Sequence, residues 1–193
     1  MRDKPILSNG DVIVRLAEPS DVAEVHRFFS AYWPGFSVYV PTAAPDAYTL
    51  SFWERELVLY QEEYEQEKSC RMFIFEASDN RTVIGMLNLN DLARGAAFQC
   101  RIGYTIAPDQ EGRGRMYAAC KLCIDFAFGP LNLHRIEAQY VRGNIRSAKL
   151  LERLGFHTEG ICRDYLFVHG RWQDHVQAAL LNPAWRNPAV ASS

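Results

Sequence analysis

Two glycines inside Gln110-Glu111-Gly112-Arg113-Gly114-Arg115-Met116 separate a strand-like run, Arg101 to Ile106, from a helical run that begins near Met116. Glycine lets backbone approach an anion closely, and the helix that follows presents unpaired N–H groups at the positive end of its dipole. The turn is therefore built to cradle a diphosphate. It is not a P-loop, which needs Lys and Ser/Thr after its last glycine, where this chain has Arg115 and Met116. Nor is it a dinucleotide fingerprint, which requires a third glycine and an early βαβ unit. Arg113 and Arg115 add cationic forks suited to a phosphate ligand that arrives without needing a metal.

The order of the remaining elements fixes the surroundings of this turn. Val12 to Leu16 reads as a first strand, and Pro19-Ser20-Asp21 with Glu24 announces a helix carrying Val22, Val25, Phe28, Phe29 and Tyr32 at helical spacing. A polar and aromatic loop, Trp33 to Pro45, leads to a second helix from about Asp46 to Glu67, and substrate contact is one reading of the loop tip. Three β-like runs, Arg71 to Glu76, Thr82 to Leu89 and Phe98 to Ile106, form an antiparallel meander. After the glycine turn come a helix from Arg115 to Phe128, a strand from His134 to Val141 and a helix from Asn144 through Leu154. A closing hairpin pairs Phe156 to Val168 with Trp172 to Leu181. Helices before, between and after the strands make the class α/β (α+β) with a mixed sheet.

At 193 residues, with 48% hydrophobic residues, the chain can bury a core as one domain. That domain is expected over residues 1–185, with a frayed tail over 186–193. A formal net charge of -2 argues against a general nucleic-acid binder, since phosphate affinity needs a basic face. Five scattered cysteines do not form a secreted disulfide framework. Cys120 and Cys123 resemble half a zinc motif, but no second ligand pair follows, so they read as core packing and no metal is expected. Without a signal core or a long apolar run, a cytoplasmic protein with no membrane partner is expected.

Several motifs together resemble the GNAT superfamily of N-acetyltransferases, and within it the RimJ/RimL branch that acetylates protein N-terminal amines, RimJ above all. They are Ile102-Gly103-Tyr104-Thr105-Ile106 leading into the glycine turn; Leu133-His134-Arg135-Ile136; Asn144-Ile145-Arg146-Ser147 running into Leu154-Gly155-Phe156 and Glu159-Gly160; and Asp164-Tyr165-Leu166 with Gly170-Arg171-Trp172-Gln173-Asp174-His175-Val176. The resemblance spans Val12 to Trp185. It implies a mixed, mostly antiparallel twisted sheet flanked by helices, with acetyl-CoA as co-substrate. The pyrophosphate would rest on backbone N–H groups of Gly112, Arg113, Gly114, Arg115, Met116 and Tyr117. The pantetheine would run like an extra strand along Ile106, and Asn144 and Ser147 would face the pantetheine and thiol. The acceptor it implies is a protein N-terminus, an alanine of a small-subunit ribosomal protein.

The chain departs from the superfamily at the acid and base. A tyrosine seven residues after the helix-opening Asn is replaced by Leu151, a glutamate five residues before it by Gln139, and a glutamate just before Ile102 by Arg101. Ser147 is the leading candidate to protonate the leaving thiolate, with Glu137 and Tyr104 as further catalytic candidates. Glu111 introduces a negative charge beside the diphosphate site. His134 and Arg135 read as a strand start, and Trp172 and Asp174 as hairpin anchors. Two alternatives stay open: acetylation of a small-molecule amine (an aminoglycoside, a polyamine or an amino-acid derivative), to which Glu54, Glu56, Glu62 and Glu63 could lend an acidic cleft, and a CoA- or ribosome-binding module without turnover.

Overall fold

The computed structural model describes residues 3–36, 39–41 and 43–187. Eight strands form one sheet in the order β1-β2-β3-β4-β5-β6-β8-β7. Their ranges are β1 Ile6–Ser8, β2 Val12–Arg15, β3 Cys70–Glu76, β4 Val83–Ala93, β5 Gln99–Ile106, β6 Arg135–Val141, β7 His157–Val168 and β8 Arg171–Leu181. Every neighbouring pair is antiparallel except β5 and β6, which are parallel. A parallel pair requires a crossover, and the helix α3, Arg115–Phe128, supplies it. The expected meander is β3-β4-β5. β1 was not expected from the sequence, since three residues with an exposed isoleucine carry too little periodicity to read.

Helices cover both faces. The helices α1, Val22–Phe36, and α2, Leu50–Glu65, pack Phe28, Phe29, Trp53 and Leu57 against Phe73 and Phe75. On the opposite face Ala119, Cys120 and Cys123 of α3, and Leu151 of the helix α4, Ile145–Arg153, meet Val14, Ile74, Leu87 and Leu89. Cys120 and Cys123 are fully buried, and burial drives both thiols far above their ordinary range, as core packing requires. The second helix starts at Leu50 rather than Asp46. Thr49 caps it by accepting a hydrogen bond from the Phe52 N–H, and the residues before it form a separate short turn.

At the far end of the chain, the indole N–H of Trp185 donates to the Asn132 carbonyl at 3.1 Å, and its ring packs on Phe98 and His134. The tail expected to fray lies mostly outside the described residues. The closing hairpin is inserted the other way round from its sequence order, with β8 beside β6 and β7 on the sheet edge. Trp172 is exposed but pairs directly across the hairpin with Phe167, ring to ring, and the Asp174 carboxylate accepts from the Asp164 N–H at 3.0 Å, so both residues tie β7 to β8.

The register of β3 on β4 shifts between Ile74 and Phe75, beside Gly85 of β4, which pairs with Ile106 of β5. A Cβ on Gly85 would sit 2.6 Å from the Thr105 carbonyl oxygen and 3.0 Å from Ile74 Cδ1. Backbone cannot yield as a side chain would. Gly85→Ala is therefore expected to cost about 1 to 3 kcal/mol, lowering the melting temperature by roughly 2 to 10 °C. An unchanged thermal unfolding curve would show that the close approach of β4 to β5 is not a constraint.

Candidate active site

The parallel pair β5 and β6 is joined only from Gln99 and Arg135 to Ile102 and Ala138, although β5 runs on to Ile106 and β6 to Val141. Beyond Ala138 the two strands separate. Backbone N–H and C=O groups on that edge of β5 are thereby left for an extended ligand chain, which can pair with them as a strand would. The gap opens into a cleft of about 1010 Å³ lined by both splayed strands, the glycine turn and the start of α4.

The turn meets its expected geometry. Gly112 and Gly114 have φ of 74° and 76°, the left-handed region in which glycine is favoured. Gly114 is the N-cap of α3 and offers no side-chain cap. No group among the described residues accepts a hydrogen bond from the backbone N–H of any residue from Gly112 through Tyr117; the first capped amide is Ala118, which donates to the Gly114 carbonyl at 3.0 Å. A Cβ added at either glycine would meet nothing within 4 Å, so the cradle is open on that side. These are donors poised for an anion.

The cations beside the turn are arranged differently from the sequence expectation. Arg113 is exposed and is not among the residues lining the cleft, and the Arg115 guanidinium is already neutralised by Glu76 at 2.6 Å while also bonding Gln110. Arg115 thus ties the turn to β3 and is not a free fork. The charge reaching the cleft without a carboxylate partner, among the described residues, comes from α4: Lys149, and Arg153, whose guanidinium stacks over Tyr117 at 4.0 Å. Helical spacing puts Arg146, Lys149 and Arg153 on one face, a pattern visible in the sequence but without meaning until α4 is placed beside the turn. Glu111 is held by Arg146 at 2.6 Å, so its charge is compensated locally.

At the inner end, Tyr104 Oη and Ser147 Oγ lie 2.8 Å apart, joining β5 to the first turn of α4. The Asn144 side-chain oxygen accepts from the Ser147 N–H at 3.1 Å, which makes Asn144 the helix cap as well as a cleft residue. Burial pushes the Tyr104 phenol well above its ordinary value, against a smaller opposing effect of the Ser147 hydrogen bond. The phenol accordingly stays protonated at neutral pH. Ile106, Met116 and Tyr117 also line the cleft. Glu137 does not: its carboxylate accepts from Arg135 Nε at 3.0 Å, outside the lining, while the same guanidinium grips Glu159. Lying on the sheet face is not enough to reach the gap, because the Glu137 carboxylate is held by Arg135.

Three lining groups, Arg101, Tyr165 and His175, were not among the site residues expected from the sequence. Tyr165 Oη accepts from Arg101 Nη1 at 2.8 Å, Arg101 also pairs with Asp91, and His175 is buried with its ring 5.3 Å from that of Tyr165. They come from β5, β7 and β8, and only the pairing of β8 with β6 brings them together. Phe36 at the end of α1, with Tyr39, Val40 and Pro41 from the loop after it, completes the wall.

A splayed parallel pair with an anion cradle at one end and a hydroxyl pair at the other defines an acyl-group transferase that takes a long phosphorylated donor. Residues 11–157 match the model of the acetyltransferase (GNAT) domain family. The chain belongs to that family and is an N-acetyltransferase. It is 36% identical to the probable N-acetyltransferase YjcK of Bacillus subtilis, over 92% of this chain and 98% of that one. It is 31% identical to the [ribosomal protein uS5]-alanine N-acetyltransferase of Escherichia coli, over 93% and 92%. Among solved structures, Mycobacterium smegmatis RimJ in complex with CoA-disulfide superposes with a TM-score of 0.85 at 25% identity, covering 98% of this chain and 93% of that one.

Proposed function

We propose that the protein transfers acetyl from acetyl-CoA to the N-terminal amine of a protein, an alanine of a small-subunit ribosomal protein. The likeness to the uS5-alanine enzyme and to RimJ supports the acceptor and the donor. The observation that carries the choice of acceptor is the charge of the cleft. Among the described lining residues the only carboxylate is Glu111, bound to Arg146, while Glu54, Glu56, Glu62 and Glu63 lie elsewhere. A polycationic amine would find no free carboxylate there, and its desolvated charges would face Lys149 and Arg153. A single α-amine, which binds neutral, needs none.

The donor lies with its diphosphate on the N–H groups from Gly112 to Tyr117, its pantetheine along β5 to Ile106 and its sulfur near Tyr104 and Ser147. The amine nitrogen attacks the thioester carbonyl, whose developing oxyanion takes hydrogen bonds from the free backbone edge of β5. As the C–S bond breaks, the thiolate takes a proton from Ser147 Oγ while Ser147 takes one from Tyr104 Oη; the amine loses its proton to water, and water returns one to Tyr104, so that both hydroxyls are restored. No strong base is required for this acceptor. An α-amine with pKa near 8 is neutral at pH 7 for about 1.4 kcal/mol, against about 4.6 kcal/mol for a lysine amine near 10.4.

Peptides with a free N-terminal alanine or serine should therefore be acetylated well ahead of an N-blocked peptide bearing one lysine, and ahead of an aminoglycoside. Activity should rise with pH as the α-amine loses its proton and level off at about pH 8 to 9. Thiol release from acetyl-CoA measures all three acceptors. Preference for the blocked lysine peptide or the aminoglycoside would reject the N-terminal acceptor and leave the acetyltransferase family untouched.

A further inference from the structure

A second cavity, of about 440 Å³, adjoins the cleft, and Asn90 and Arg101 line both. It sits on the face of the sheet that α2 covers, at the C-terminal end of that helix, and its walls are polar: Glu63, Lys68, Ser69, Arg71, Asn88 and Asp91. The ladder shows how it connects to the reacting centre. Arg71 of β3 pairs with Asn88 of β4, and Asn88 pairs with Gly103 of β5, the residue at which β5 leaves β6. These three residues form one row across the sheet on one face. Gly103 has no side chain to block the row at its cleft end.

Two features of the cavity point to a ligand. Asn88 Oδ1 is buried and accepts no hydrogen bond among the described residues, a costly state for an amide oxygen unless a donor arrives. The charges are also unbalanced. Glu63 is committed to Arg71 at 3.2 Å and receives the Ser69 hydroxyl at 2.5 Å, and Asp91 is committed to Arg101. Lys68 remains, an exposed cation with no ion pair among the described residues. Neighbouring strands lie about 4.8 Å apart, so β3 is roughly 10 Å from the splayed edge of β5. A peptide whose amine reaches the gap, running across the strands at about 3.4 Å per residue, brings its third side chain there.

We propose that this cavity is an acceptor subsite: Asn88 Oδ1 accepts a backbone N–H of the incoming peptide, and Lys68 receives a carboxylate side chain at its third residue. The proposal rests on the reading of the protein as an N-terminal acetyltransferase and narrows its substrates to N-termini with an acidic third residue. Arg71 and Arg101, each already neutralised, shape the walls.

The test compares three peptides that differ only at the third position, Ala-Ala-Glu, Ala-Ala-Gln and Ala-Ala-Lys with a common continuation, by kcat/KM at low salt, with alanine amide as a one-residue acceptor. The glutamate peptide should exceed the glutamine peptide by about fivefold, the size of one exposed ion pair, and the margin should shrink as salt is raised. Lys68→Glu should invert the order so that the lysine peptide leads. Ratios within one variant cancel any general change in activity. Equal rates for the three peptides, or an order unmoved by Lys68→Glu, would overturn the subsite while leaving N-terminal acetylation standing. Failure of all three peptides and of alanine amide would reject both together.

Discussion

Replacing Gly114 by aspartate is expected to abolish the rise in melting temperature that CoA produces in the native protein. The backbone at Gly114 has φ of 76°, and aspartate tolerates this region better than other side chains, so the fold should survive. The carboxylate would stand at the mouth of the N–H groups from Gly112 to Tyr117, which have no partner among the described residues. Two like charges about 4 Å apart near a protein surface repel by about 4 kcal/mol, and the affinity should fall by roughly a hundredfold or more. Gly114→Asn carries the same backbone burden without the charge and should keep most of the binding. Native CoA affinity in a folded Gly114→Asp variant would mean that the turn holds no phosphate.

Ser147→Ala is expected to lower kcat by roughly 100-fold, the usual worth of a positioned proton donor, with little change in the Michaelis constant for acetyl-CoA. The substitution is clean because Asn144 caps the Ser147 backbone N–H, not its hydroxyl, and the start of α4 remains intact. Tyr104→Phe removes the other half of the 2.8 Å pair, and the two effects should fall short of additive if the hydroxyls act as a relay. Since burial holds the phenol well above its ordinary range, Tyr104 keeps its proton throughout the pH range of the assay and contributes no alkaline loss of activity. An unchanged turnover number in Ser147→Ala would leave Ser147 only its place in the first turn of the helix.

The sequence by itself determined the local geometry of the cofactor end. Gly112 and Gly114 can take a left-handed backbone, the helix after them has to start with unpaired N–H groups, and Asn144 is a favoured cap, all consequences of the chain within a few residues of each position. The meander and the bounds of α3 were legible for the same reason. The catalytic candidates Ser147 and Tyr104 came from motif position alone, and only the placement of α4 against β5 brought their hydroxyls to 2.8 Å.

What the tertiary structure decided were distances between segments far apart in the chain. Composition cannot show that Arg115 is spent on Glu76, 39 residues away, or that Arg135 reaches Glu159, 24 residues away. It cannot show that β5 and β6 separate after Ile102 and Ala138, because strand propensity reports a residue's fit to a sheet and not which neighbour it loses. The charge of the cleft is likewise a property of assembly. The chain is slightly acidic as a whole, yet its cleft is basic, because the carboxylates of α2 lie outside it while one face of α4 turns Arg146, Lys149 and Arg153 toward it.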